Sequence, residues 1–399
     1  MRVSRTFGAL LLPLLAAAAS AAQTAPSAPP APSMEEVRRA GAEVLFWNQE
    51  QRDRNFRSME KLFPAVSVDA GERVRPLPAG KPLEPALGGA AAVDALMASM
   101  NMAGLLVLQD GKIRLERYAR GYGPEQTWTS FSVAKSITST LVGAAVKDGF
   151  IKSLDDPVTR YIPELKGSAY DGVSVRHVLT MTSGVRWNED YTDPKSDVAR
   201  MFSTPPPLGE DVTVAYLRKL PREAAPGSKW VYKTGESNLI GVLVARAVRE
   251  PLSIYLWRKI WSRYGMERDA HWQVDENGQE IGGCCLSASL RDYGRFGQFI
   301  LDGGRAGYLD VLPAGWVEEA TRAQAEVGTP GRGYGYQWWT GPEGTFSAVG
   351  IFGQMIHIDP ARKLVIVTSS AASQATGREL SAARAALVMK ISAAAAAKE

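Results

Sequence analysis

The chain has 399 residues, of which 45% are hydrophobic and 22% charged, enough to bury a large core and ordinary for a soluble enzyme. Forty-six Lys and Arg against 42 Asp and Glu leave a formal net charge of +4, dispersed along the chain with no long basic run, which argues against a nucleic-acid partner. One large domain, or two interleaved lobes, working on a small molecule is the expectation.

The first residues combine a basic head, Met1 to Arg5, an apolar stretch from Phe7 to Ala19 and a small-residue exit at Ser20-Ala21-Ala22. This order reads as a secretory signal peptide over residues 1–22 and predicts export, most simply to a bacterial periplasm, with an uncleaved anchor as the alternative. The stretch is short for a spanning helix and no other segment qualifies, so no membrane association beyond export is expected. Residues 23–33 are rich in Ala and Pro and read as a flexible leader. Met34 to Phe63 is polar and helical in pattern, and the Pro/Gly-rich Val66 to Pro85 predicts an extended arm. Leader and arm together fill 23–90, the folded domain is expected over 91–391, and 392–399 is a tail.

Gly104 to Gln109 and Lys112 to Arg117 flank Asp110-Gly111, a pair that tolerates the positive φ angles of a tight hairpin turn. A second hairpin is predicted from Gln354 to Thr368 about a Pro360-Ala361-Arg362-Lys363 turn, and Arg378 to Ile391 reads as a closing amphipathic helix. Two hairpins at opposite ends of one domain can share an antiparallel sheet. The predicted class is therefore α+β, an antiparallel sheet flanked by helices, with an inserted all-helical lobe over about 132–282 and a cleft between the two as the default active site.

That lobe opens on Ser132-Val133-Ala134-Lys135, within the apolar run Phe131 to Val146. On a helix, positions i and i+3 share a face, so the Lys135 amine sits beside the Ser132 hydroxyl and can take its proton. Val133, Ile137, Leu141 and Ala145 recur as one buried helix stripe would. Ser58 and Lys61 have the same spacing but lie among Arg52, Asp53, Arg54, Arg57 and Glu60, a solvated face. At the start of its helix Ser132 also has the positive dipole end and unpaired N–H groups that favour an oxyanion.

Further along, Pro226-Gly227 is expected to deliver a strand-like piece carrying Tyr232, with Asn238 opening the helix Leu239 to Val248. Tyr232 could act as a base only if positive charge from Lys135 lowered its pKa, and taken alone it reads as a core tyrosine. The adjacent Cys284 and Cys285 are expected to be two thiols, since neighbours close only a strained ring. His177, His271 and His357 fall in helix, linker and strand contexts and support no triad. No His-Glu-x-x-His or glycine-rich phosphate loop appears, so no metal and no cofactor are expected.

Together these segments resemble the serine β-lactamase and penicillin-binding superfamily in its class C-like branch, from about Ala91 to Ile391. The marks are Ser132 to Lys135, Leu154-Asp155-Asp156-Pro157, Leu179 to Gly184, the Pro226-to-Tyr232 segment, Arg291 to Gly297, and Gly350-Ile351-Phe352-Gly353-Gln354. The resemblance implies Ser132 as nucleophile, with Lys135 and Tyr232 sharing proton transfer and Tyr232 protonating the leaving group. It implies an oxyanion hole from the backbone N–H groups of Ser132 and Ile351. Where class C β-lactamases carry Tyr-x-Asn and Lys-x-Gly, this chain has Tyr232-Lys233-Thr234 and Ala348-Val349-Gly350, without a cation for a β-lactam carboxylate. Ala-Val-Gly-Ile is closer to 6-aminohexanoate-dimer hydrolases, a type that sets a tyrosine over the cleft, matched in position by Tyr191; family VIII esterases are also near. Tyr191, Thr234 and Gly350 are the candidate substrate-binding residues. The expected function is hydrolysis of a small-molecule ester or linear amide through an acyl-enzyme on Ser132. The alternatives are a peptidoglycan-directed D-amino-acid peptidase, a weak β-lactamase, or a non-catalytic penicillin-binding sensor.

Overall fold

The structure is a computed structural model that describes residues 33–396. The expected signal peptide and the leader as far as residue 32 lie outside the described residues. No described helix is long and apolar enough to cross a membrane.

The first predicted hairpin forms strands β1 (Met102–Gln109) and β2 (Lys112–Tyr118), turning through Asp110 at φ 50° and Gly111 at φ 71°. Six more strands complete its sheet: β3 (Ala325–Glu326), β4 (Gly333–Tyr334), β5 (Trp339–Thr340), β6 (Phe346–Val349), β7 (Met355–Asp359) and β8 (Leu364–Ser370). The order is β2-β1-β8-β7-β6-β5-β4-β3, with β1 and β8 antiparallel in a register that sets Val365 opposite Leu108. The two hairpins thus share one sheet, as their positions predicted.

Side chains alternate faces along these strands, and both faces are covered. Leu105, Val107 and Ile366 meet the helices Ala90–Ala98 and Arg378–Ala396, while Leu106, Leu108, Val365 and Val367 face the opposite core. On that side the helix Leu290–Leu301 crosses very close: a Cβ at Gly294 would lie 2.5 Å from Leu106, and one at Gly297 would lie 2.5 Å from Val365. This spacing explains the glycines of the Arg291-to-Gly297 segment. The closing helix continues past Ile391 to Ala396.

Residues 34–90 belong to the packed structure. Helix α1 (Met34–Glu43) leads into Val44, Trp47, Phe56 and Met59, all buried in the main core. Strand Ala65–Val68 from the arm pairs with Ala270–Gln273, which continues through Leu286–Ala288 to Trp128–Thr129 as a separate four-stranded sheet. His271 therefore lies on a strand, where a linker was expected.

Helix α2 (Val133–Lys147) is buried around nearly its whole girth, where one apolar stripe was expected. Its polar side chains tolerate this because backbone carbonyls receive them. Ser136 donates to Gln337 O at 2.6 Å, Ser139 to Tyr336 O at 2.6 Å and Thr138 to Gly282 O at 2.7 Å. Beside it runs helix α3 (Thr234–Val248), which starts four residues before the expected Asn238. Residues 226–233 carry no strand; they are held by the Leu179-to-Gly184 segment, where Thr182 O accepts Gly227 N–H at 2.7 Å and Met181 O accepts Val231 N–H at 3.1 Å.

Candidate active site

Ser132 caps the N-terminus of α2 and is 9% exposed at the floor of a cleft. The residue before it, Phe131, takes φ 43°, a left-handed conformation uncommon outside glycine. Gly350, at the end of β6, runs alongside: a Cβ there would lie 3.2 Å from Ser132 N and 2.7 Å from Ser130 O. Only glycine leaves the approach to the Ser132 N–H open. Past it, Ile351 is followed by Phe352 at φ 58°. Among the described residues, neither the Ser132 nor the Ile351 backbone N–H has a backbone acceptor.

One turn into α2, Lys135 is 1% exposed, with its Nζ 3.3 Å from Ser132 Oγ. Its other partners are Thr234 Oγ1 at 3.0 Å and the Gly283 carbonyl at 2.7 Å. Three acceptors match the three protons of an ammonium. Gly283 is fixed in turn by Asn238, whose Oδ1 accepts its N–H at 2.7 Å. Burial pushes the Lys135 amine down to about 8, with the Glu189 carboxylate pulling the other way.

The Tyr232 hydroxyl lies close to Ser132, and its ring is 5.3 Å from Lys135 Nζ. The ring stacks on Trp339 at 5.6 Å and meets Tyr334 edge-on at 6.1 Å, so β4 and β5 hold it from behind. Burial and then the charge of Glu189 push its hydroxyl well above the ordinary tyrosine range, outweighing the lowering influence of nearby Ser132. The condition for Tyr232 to act as a base, a pKa lowered by Lys135, is therefore not met: Tyr232 stays protonated, and the group near neutrality is Lys135.

Glu189, on the loop two residues before Tyr191, is a site residue that is not among the candidates of the sequence analysis. Its Oε2 accepts the Thr234 backbone N–H at 2.9 Å, and its carboxylate also takes the Thr234 hydroxyl, the Trp187 indole N–H and, at 2.7 Å, the Tyr191 hydroxyl. Tyr191 thus reaches the cleft as expected, but its hydroxyl is engaged with Glu189. Asp190 instead points away from this network, accepting Thr192 N–H at 2.8 Å. Two of its partners, Trp187 and Tyr191, are only two residues away, but the Thr234 N–H and hydroxyl that tie it to the Lys135 site lie 45 residues further on, where no local pattern signals them.

Elsewhere Lys233 is buried next to Glu236, 3.7 Å away, and Ala348 is fully buried in β6, so neither position offers a cation to the cleft. Cys284 and Cys285 line the cleft joined as a disulfide, which corrects the expectation of two thiols. The turn after Gly282-Gly283, with Cys285 at φ 73°, brings the two side chains together. His177 sits in the capping box of a short helix, and burial pushes His357 down to about 4, beside Ser347. No cluster of three or more metal-ligating side chains occurs among the described residues.

The beta-lactamase family matches residues 90–389. A 6-aminohexanoate-dimer hydrolase from Paenarthrobacter ureafaciens is 35% identical over 285 residues, covering 66% of this chain and 71% of that protein. Esterase EstB from Burkholderia gladioli is 33% identical over 135 residues, 31% of this chain and 32% of the esterase. Among solved structures, a candidate 6-aminohexanoate-dimer hydrolase from Bacillus anthracis superposes with a TM-score of 0.76 at 23% identity, covering 85% of this chain and 93% of its own. A class C beta-lactamase superposes with 0.59 at 17% identity, covering 79% and 97%. At these identities the two structures establish the fold.

Proposed function

Because the chain belongs to the beta-lactamase family, we propose that it hydrolyses a carboxylic ester or a linear amide through an acyl-enzyme on Ser132. The observation that carries this reading is the buried Lys135 amine, 3.3 Å from Ser132 Oγ and brought down to about 8. A neutral Lys135 takes the Ser132 proton as the oxygen attacks the carbonyl. The resulting oxyanion sits between the Ser132 and Ile351 N–H groups, aided by the start of α2. Tyr232, kept protonated, gives its proton to the departing nitrogen or oxygen, and the Lys135 ammonium restores it. Water then repeats the sequence on the acyl-enzyme and releases the acid.

Amide and ester chemistry are both represented among the named relatives. Buried Ala348 leaves no cation for a β-lactam carboxylate, which argues for linear substrates. Export belongs to the same proposal on the strength of residues 1–22, and the mass of the mature N-terminus tests it.

The direct test compares the wild type with Ser132→Ala on short p-nitrophenyl esters, a linear aminohexanoate dimer, a cephalosporin reporter and a muropeptide. Ester or linear-amide turnover that Ser132→Ala abolishes supports the reading. Retained turnover in that variant rejects Ser132, and activity confined to D-alanine release would instead make the protein a peptidoglycan peptidase.

A further inference from the structure

The cleft continues from Ser132 into a cavity of about 190 Å³ whose outer wall is helix α1. Met34, Val37 and Gly41 stand at i, i+3 and i+7 on that helix, the spacing of a single face, and all three line the cavity. Phe202, from the helix Asp197–Ser203, lines it as well. The charged groups on the wall are already engaged. Arg38 pairs with Glu276, and Asp275 accepts the N–H groups of Asn277 at 2.8 Å and Gln279 at 3.0 Å.

The lining includes Ser132 and Ile351, with Tyr191 and Thr234 also on the wall, but not Tyr232. An acyl group attached to Ser132, with its carbonyl oxygen at the Ser132 and Ile351 N–H groups, would extend its chain into this cavity.

We propose that α1 completes an acyl-chain subsite that selects an uncharged aliphatic acyl group of medium length. The inference rests on the hydrolase reading above and adds the substrate class to it. An apolar wall with its charges paired gains from each methylene removed from water, whereas a terminal ammonium would enter without an unengaged partner.

The test measures kcat/KM for p-nitrophenyl acetate, butyrate, hexanoate, octanoate and 6-aminohexanoate, alongside fluorophosphonate labelling of Ser132. The expected series rises roughly three- to fourfold per methylene until the cavity is full, with hexanoate favoured at least tenfold over its amino derivative. A Cβ at Gly41 meets no atom within 4 Å, so Gly41→Leu has room and is a better helix former. It should move the optimum to a shorter chain. Val37→Asp should lower the octanoate-to-acetate ratio about tenfold. A flat series, a preference for the aminohexanoate ester, or ratios unchanged in both variants, with Ser132 labelling intact, would overturn the subsite and leave the hydrolase reading standing. Absence of both labelling and turnover would overturn the two together.

Discussion

Thr234 Oγ1 lies 3.0 Å from Lys135 Nζ and donates its own proton to the Glu189 carboxylate. A single hydroxyl thus links the amine beside the nucleophile to a carboxylate on a separate loop. Because the lysine end of this link governs proton removal from Ser132, kcat/KM on an activated ester should rise with pH through about 8 and level off above it. Glu189 holds the Lys135 amine up, so Glu189→Gln should move that rising limb to lower pH while reducing kcat, as Thr234 loses its anchor. A loss of activity with the limb unmoved would reduce Glu189 to a structural role.

Tyr232→Phe separates the two substrate classes. An amide nitrogen must be protonated to leave, whereas p-nitrophenolate leaves unaided. Removal of the hydroxyl should cost about 100-fold or more on a linear amide and less than about tenfold on the activated ester. Stacking on Trp339 does not involve the hydroxyl, so the ring should stay in position. Equal losses on both substrates would remove Tyr232 from the acid role.

Burial of Lys135 also carries a stability signature. Its folded-state value, about 8, lies below the 10.5 of an unperturbed lysine, so the unfolded chain binds the extra proton between those values. The stability of the wild type relative to Lys135→Met should therefore increase by up to ~3 kcal/mol as pH rises from 8 to about 10.5. Below pH 8 the difference settles at its lower plateau. Denaturant unfolding of both proteins across that range checks the slope, and a pH-independent difference would mean that Lys135 is not displaced from its ordinary value.

What was legible in the sequence was local. The Ser132–Lys135 spacing, the Asp110-Gly111 turn and the two hairpins depend on residues a few positions apart, and the structure keeps each of them. What was not legible depends on distant partners. Helix α3 begins at Thr234 rather than Asn238 because Glu189 accepts the Thr234 N–H from another loop, a cap that no window around residue 238 contains. The Tyr232 shift was left open for the same reason: the nearby cation was visible, but the burial and the carboxylate that raise its pKa were not. The polar residues of α2 gave no sign of burial because their acceptors are the carbonyls of Gly282, Tyr336 and Gln337.

Acid-quenched turnover of an ester, followed by intact-mass and peptide analysis, probes the covalent step itself. The account predicts an acyl group on the peptide that contains Ser132, appearing within the first turnover and absent from Ser132→Ala. Steady hydrolysis with no adduct at any quench time, or an adduct on another residue that persists in Ser132→Ala, would contradict it.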